Sequence, residues 1–348
     1  MEISKFIAFY PSRPFWAVGQ IDFDFQKCPA DLGDRERKEF SDKMAEEVYV
    51  DKGDGYTLKL CRDGQVMLQI EKFESVIENE AEFTEEFIEE LMMEWGSYLD
   101  YLNVLYLLLD SAALEIDKFS SFSLHEVTTR DAFLVGPVDG IDGKNFPLGT
   151  SGESMASFFV KGRYLSYYRQ DVPIFSDDRI MLRCRPISMA AIKHASKTFS
   201  KVMCSSGLEK TLASFSKSLS EYKIGNYRSS VLFSWFIIEA GVNKIWEDHL
   251  DKLKQSSLDN CHRINSDRKK YPAVSIICDS LKRDKLLPNE ILKKIDKARK
   301  IRNNIVHSLE VSPAAKEAKL VMQTAKEVIK HIWDLHFEFN PGYSIRAL

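Results

Sequence analysis

The sequence predicts an α+β domain over residues 1–205, an antiparallel meander with long helices, followed by an all-helical bundle over residues 206–348. Three observations carry this reading. Asp-Gly pairs join short strand-like runs near the N-terminus, the arrangement a tight hairpin turn requires. Apolar residues recur at three- and four-residue steps through the C-terminal part, the period of a helix with one buried face. Charge divides with them. Residues 1–205 carry 23 Lys+Arg against 35 Asp+Glu, net -12, and residues 206–348 carry 25 against 17, net +8, which sum to the chain's -4. A basic half suits a polyanionic partner through phosphate neutralisation, or complements the acidic half.

Taken in order, Ile3 to Tyr10 is a short apolar strand and Ile21 to Phe25 alternates with period two. Glu47 to Asp51, Tyr56 to Cys61 and Val66 to Glu71 follow, joined by Asp54-Gly55 and Asp63-Gly64. From Thr84 to Ile116 the pattern is helical, with a Thr-Glu-Glu start that favours a cap and is apolar almost all round from Tyr98 to Leu109. Leu124 to Thr128 and Ala132 to Val135 read as strands, and Gly136 to Glu153, with five Gly and two Pro, as a surface loop. No Walker-type or dinucleotide fingerprint lies in that loop. Phe158 to Tyr168 and Arg179 to Arg185 are expected strands. Arg179, Arg183 and Arg185 form a basic row beside the aromatic Tyr164, Tyr167 and Tyr168, a pattern that either stacks on bases or answers the domain's own acids. Ser188 to Met203 is a helix, and the Ser-rich turn from Cys204 to Gly207 marks the domain boundary.

In the bundle, one long helical pattern runs from Leu212 to Leu250 and a shorter one from Ala273 to Leu287. A third starts after Pro288, capped by Asn289 or its neighbour, with Ile291, Leu292, Ile295, Ala298, Ile301 and Ile305 as its apolar stripe. Ser312-Pro313 reads as the cap of a last helix from Ala314 to His336. Cys28, Cys61, Cys184, Cys204, Cys261 and Cys278 are scattered, without the spacing of a disulfide framework or zinc site. The start M-E-I-S-K-F is not that of a signal peptide, and no apolar run reaches the roughly 20 residues of a membrane helix, so a soluble cytoplasmic chain is expected.

The third helix ends in I-D-K-A-R-K-I-R-N-N-I-V-H-S, residues 295–308. Arg302, Asn303 and His307, placed after a long and a short helix and before another long one, resemble the Arg-polar-His motif of the HEPN domain family, over roughly residues 210–338. The resemblance implies metal-independent endoribonuclease chemistry at a composite site built by two protomers, with no cofactor. It implies RNA as the substrate, a homodimer, and a setting in bacterial defence or a toxin-type stress response, with the N-terminal domain receiving a signal, ligand or partner protein. In that chemistry the substrate's 2'-hydroxyl is the nucleophile. His307 moves protons near neutral pH, Arg302 stabilises charge on the phosphoryl oxygens, and Asn303 orients the imidazole or binds phosphate. Glu239, a carboxylate in the apolar run W-F-I-I-E-A, is the added acidic residue that family members often carry, and Arg299 extends the cationic patch. Two other readings stay open: a non-catalytic HEPN module that dimerises and binds nucleotide or RNA, and an activity housed in the N-terminal domain with the bundle as a dimerisation device.

Overall fold

The Asp-Gly hairpins form where the sequence puts them. Strands β3 (Glu47–Gly53), β4 (Tyr56–Cys61) and β5 (Val66–Ile70) are joined by turns in which Gly55 and Gly64 adopt φ of 73° and 85°, angles a side chain resists. The computed structural model describes residues 6–11, 16–18, 39, 43, 46–73, 85–118, 124–135, 145–147, 186–256, 274–308, 310 and 312–342. Within it the chain forms two units, 1–213 together with 337–348, and 214–336. The expected boundary at 205/206 precedes helix α3 (Leu208–Lys223), whereas the units divide inside that helix and the C-terminal tail returns to the first unit.

In the first unit the meander extends into a six-stranded antiparallel sheet of order β3-β4-β5-β1-β6-β7, with β1 (Phe6–Phe9), β6 (Phe133–Val135) and β7 (Asn145–Pro147). The fully buried β1 is central: Ile7 opposes Leu68 on one side and Leu134 on the other. Its alternation puts Phe6, Ala8 and Tyr10 in a cluster with Cys61, Met67 and Phe133. On the other face Phe9 meets Tyr106 of helix α1 (Glu85–Ala112), ring centroids 5.6 Å apart. Tyr98 of α1 donates to the Leu68 carbonyl at 2.7 Å, and α1 is buried through Leu102 and Val104–Leu109, the stretch that is apolar all round. A short π-turn, Ala113–Asp117, ends it at Lys118 in the left-handed region. β2 (Trp16–Ala17) and β8 (Pro186–Ile187) make a separate parallel pair. Helix α2 (Met189–Met203) starts at Ser188, whose hydroxyl accepts from the Ala191 amide, and packs on α1. Buried Tyr56 donates to Asp51 at 3.0 Å, and Ser196 of α2 donates to the same carboxylate.

One strand expectation and one loop expectation are corrected. Leu124 to Thr128 is irregular, because the Val127 backbone bonds to a side chain instead of a strand: its N–H donates to Asn103 Oδ1 at 2.7 Å and its carbonyl accepts from Asn103 Nδ2 at 2.9 Å. The stretch expected as a plain loop contains β7, paired with β6. Ile21 to Phe25, Phe158 to Tyr168 and Arg179 to Arg185 lie outside the described residues, as does the rest of 136–153.

Every regular element described in the second unit is a helix: the end of α3, then α4 (Tyr227–Ser256), α5 (Val274–Arg283), α6 (Asn289–His307) and α7 (Ala315–Trp333). The single long pattern expected from Leu212 to Leu250 is therefore two helices. They break at Ile224-Gly225-Asn226, where the Asn226 side chain takes the Ser229 amide as a cap. Pro288, the neighbour of Asn289, caps α6 without a side-chain bond. One further cap differs from expectation: Ala314, not Ser312, caps α7, with Glu317 reaching back to the Ala314 amide at 2.8 Å. α4 packs against α5, α6 and α7. It meets α7 closely enough that a Cβ on Gly241 would lie 2.4 Å from Val328 Cγ1. No helix among the described residues is long and apolar enough to cross a membrane.

Candidate functional site

Helix α6 buries Leu292, Ile295, Ala298 and Ile305. Arg302 stands four residues after Ala298 and three before Ile305, so it falls on the same stripe, at a position the helical period reserves for the core. Its Nε is buried and has no hydrogen-bond partner among the described residues, while Nη1 donates to Asn303 Oδ1 at 3.1 Å. Burying part of a guanidinium without an acid is costly. Four other cations of the helix are paired, Lys297 being the exception among the described residues: Arg299 and Lys300 each pair with Asp296 at 2.8 Å, Lys293 with Glu290 at 3.0 Å, and Lys294 with Glu327 of α7. The hydrogen bonds from Lys300 and then Arg299 hold the Asp296 carboxyl below its ordinary value. Among the described residues no carboxylate pairs with Arg302.

His307 is the last residue of α6, exposed, with no hydrogen bond or ion pair to any described residue. The helix stops there because Ser308 turns extended, at φ -140° and ψ 119°. The end is fixed by Arg228 in the first turn of α4, whose Nη2 donates to the Ser308 carbonyl at 2.9 Å. Arg228 is a positioning residue that the sequence did not single out. Nothing in Y-R-S-S distinguishes it, since the contact joins segments far apart in the chain.

The Arg228 contact also sets the direction of α4: its beginning lies at the end of α6, so the two packed helices run antiparallel. At about 1.5 Å per residue Glu239 lies roughly 16 Å along α4 from Arg228, and Arg302 roughly 9 Å back from Ser308. Glu239 is therefore nearer the level of Ala298 than of Arg302. The polar partner its apolar surroundings demand is an indole of its own helix, Trp235 Nε1, which donates to Glu239 Oε2 at 3.0 Å. The structure thus joins Arg302 to Asn303, gives Arg299 to Asp296 and Glu239 to Trp235, and leaves His307 in solvent.

On an ideal helix Arg302 and His307 point about 140° apart, whereas Asn303 and His307 lie within about 40°. Arg302 and His307 of one chain therefore start from different faces of the helix.

Protein-family models, curated proteins and solved structures return no match to this chain. The chemistry of α6 therefore rests on its own residues. It offers a cation without an acid among the described residues, an amide in contact with it and a solvent-facing imidazole, all within the last two turns of one helix. A guanidinium binds phosphate through paired donors, an imidazole exchanges protons near neutrality, and an anion would complete the charge that Arg302 lacks.

Proposed function

We propose that this chain is a HEPN-type endoribonuclease, cleaving RNA through its 2'-hydroxyl without a metal, at a site completed by a second copy of the chain. The observation that carries the reading is Arg302: a guanidinium on the buried stripe of α6, its Nε unpartnered and no described acid beside it, five positions before an exposed histidine. Structure alone has little use for such a group, since an apolar residue there costs less. A phosphodiester supplies the missing anion.

In the reaction the 2'-oxygen attacks phosphorus as His307 takes its proton, and the bond to the 5'-oxygen breaks as that oxygen is protonated. Arg302 stabilises the added negative charge on the phosphoryl oxygens. The products carry a 2',3'-cyclic phosphate and a 5'-hydroxyl. Because Arg302 and His307 of one chain diverge, the homodimer is part of the proposal: a second α6 brings the complementary groups to the same phosphate. The first unit then serves to restrain or trigger cleavage in response to a ligand or protein, in bacterial defence or a toxin-type stress response.

A non-catalytic RNA- or nucleotide-binding bundle is the second reading, and the engagement of Asn303 Oδ1 by Arg302 rather than by His307 favours it. The two are separated by incubating the purified chain with mixed tRNA and mRNA in EDTA, beside His307→Ala and Arg302→Ala proteins of matched stability. Cleavage by the unaltered chain alone, leaving cyclic ends, supports the nuclease. Binding of the same RNA without cleavage favours the second reading, and equal cleavage by all three removes Arg302 and His307 from the mechanism.

A further inference from the structure

The outward face of α6 carries a row that the motif does not use. Lys293, Lys297, Lys300, Asn304 and His307 are exposed or nearly so and recur at alternating steps of four and three. At 100° per residue they fall within about 80° of one another, opposite the buried stripe, along roughly 21 Å of helix. α7 carries a second row, the exposed Lys316, Lys319, Gln323 and Lys330, again opposite its buried residues. The ion pair from Lys294 to Glu327 marks the flank where the two helices meet, and both pack on α4. Both rows therefore face the side of the α6–α7 pair turned away from α4.

Charge on these two helices is lopsided. α6 holds six Lys+Arg against two acids and α7 four against two, a net of +6 over the two helices in a chain whose total is -4. A face that is merely solvated alternates its charges and pairs them. Here Lys297, Lys316, Lys319 and Lys330 pair with no carboxylate among the described residues. The row's other two lysines are paired, Lys293 with Glu290 and Lys300 with Asp296, and both pairs are exposed on both sides and yield readily to a polyanion. The rows also carry the amides Asn304 and Gln323, side chains that can donate to phosphate and sugar oxygens. The large apolar residues that an interfacial membrane helix inserts are missing from both rows.

We propose that this face is a track for the phosphate backbone of single-stranded RNA, sequence-independent, with its α6 row ending at His307. It deepens the nuclease reading by naming the surface that would deliver substrate, and rests on that reading only for what happens at the row's end. Binding itself is separable from cleavage.

The test is titration of the full-length chain into a fluorescent single-stranded RNA of mixed sequence, 2'-O-methylated so that no nucleophile is present, over a series of salt concentrations. The variant combines Lys297→Gln, Lys316→Gln, Lys319→Gln and Lys330→Gln. A control of equal charge change combines Lys193→Gln, Lys197→Gln, Lys244→Gln and Lys282→Gln, exposed lysines of α2, α4 and α5. Each phosphate contact adds about 0.7 to the salt slope for a single strand, so the variant should lose up to about 3 from the slope and bind roughly tenfold or more weakly at low salt. The control should bind as the unaltered chain does. Equal loss in variant and control would reduce the effect to net charge and overturn the track, as would an unchanged variant whose thermal melt is also unchanged. Vesicles of phosphatidylcholine and phosphatidylserine form the other arm. Loss of vesicle binding by the variant with RNA binding intact would assign the face to a membrane surface and refute the proposal. If RNA binding falls in the variant while the unaltered chain cleaves nothing, the track stands and the nuclease reading fails. If the chain cleaves and the variant binds RNA as tightly as before, the reverse holds.

Discussion

Arg302→Met is expected to stabilise the helical bundle while removing its chemistry. The guanidinium stands on the stripe between Ala298 and Ile305 with Nε buried and unpartnered. A buried donor left unmade costs about 1–3 kcal/mol. Against this stands one hydrogen bond, Nη1 to Asn303 Oδ1, whose acceptor is half-buried and open to water, so its loss costs on the order of 1 kcal/mol. Methionine has a similar reach, no polar atoms to satisfy, and enough flexibility to fill the same space. The balance is a gain of about 1 kcal/mol. Because the chain has two units, a single melting curve mixes them, and hydrogen exchange of the α6 and α7 amides is the better assay. A gain of 1 kcal/mol slows exchange through the bundle's cooperative opening about fivefold. Faster exchange in the variant, by that factor or more, would show the guanidinium to be a structural strut, and the argument that its cost is retained for an anion would fail.

Three other perturbations follow from the packing. Gly241→Ala improves helix propensity by about 1 kcal/mol but puts a methyl 2.4 Å from Val328 Cγ1 and 2.8 Å from Ile332 Cδ1, and overpacking of that kind costs about 1–3 kcal/mol. A net loss is expected, with α4 and α7 amides exchanging faster, and restoration by Val328→Ala would identify the clash as the cause. Asn103→Ala leaves both backbone groups of Val127 unpaired in a buried place, a loss of about 2–4 kcal/mol read as lowered thermal stability, which Asn103→Asp repairs only at the amide. Burial first, and then the hydrogen bond to Asp51, push the Tyr56 hydroxyl up to about 12 from its ordinary 10.0. A raised value means the neutral form is favoured in the folded state, so this contribution is full below pH 10 and disappears as pH rises through about 12. Ultraviolet titration should show late tyrosine ionisation, and Tyr56→Phe should reduce that late step by one equivalent.

The strand pattern was legible wherever turn chemistry is local. Asp54-Gly55 and Asp63-Gly64 place three strands because the turn itself demands the residues. β7 was not legible: three residues in a Gly-rich stretch carry no period, and only pairing to β6 makes them a strand. Leu124 to Thr128 has strand composition, but a side chain on α1 takes its backbone groups, a competitor no local pattern reveals. The break between α3 and α4 left a trace, since the step of five from Tyr222 to Tyr227 is out of helical phase and contains Gly225-Asn226. The buried setting of Arg302 was also readable, from the series Ile295, Ala298, Arg302, Ile305. The contact from Arg228 to the Ser308 carbonyl depends on side-chain placement and had no sequence signal, whereas the pairing of Glu239 with Trp235 was available in their spacing of four on one helix.

The path of the chain constrains how the bundle is to be handled. Residues 214–336 are entered through a helix that begins in the first unit and left through a tail that goes back there, where Phe337 is buried and the Glu338 amide donates to Ser111 of α1 at 2.7 Å. The bundle is an insertion rather than an appendage. A proteolytic cut on either side alone releases nothing, and a fragment starting at residue 206 strips the first unit of a piece of its own interior. Truncation therefore perturbs both units at once, and a graft that carries residues 214–336 between two closely spaced ends is the operation that respects the topology.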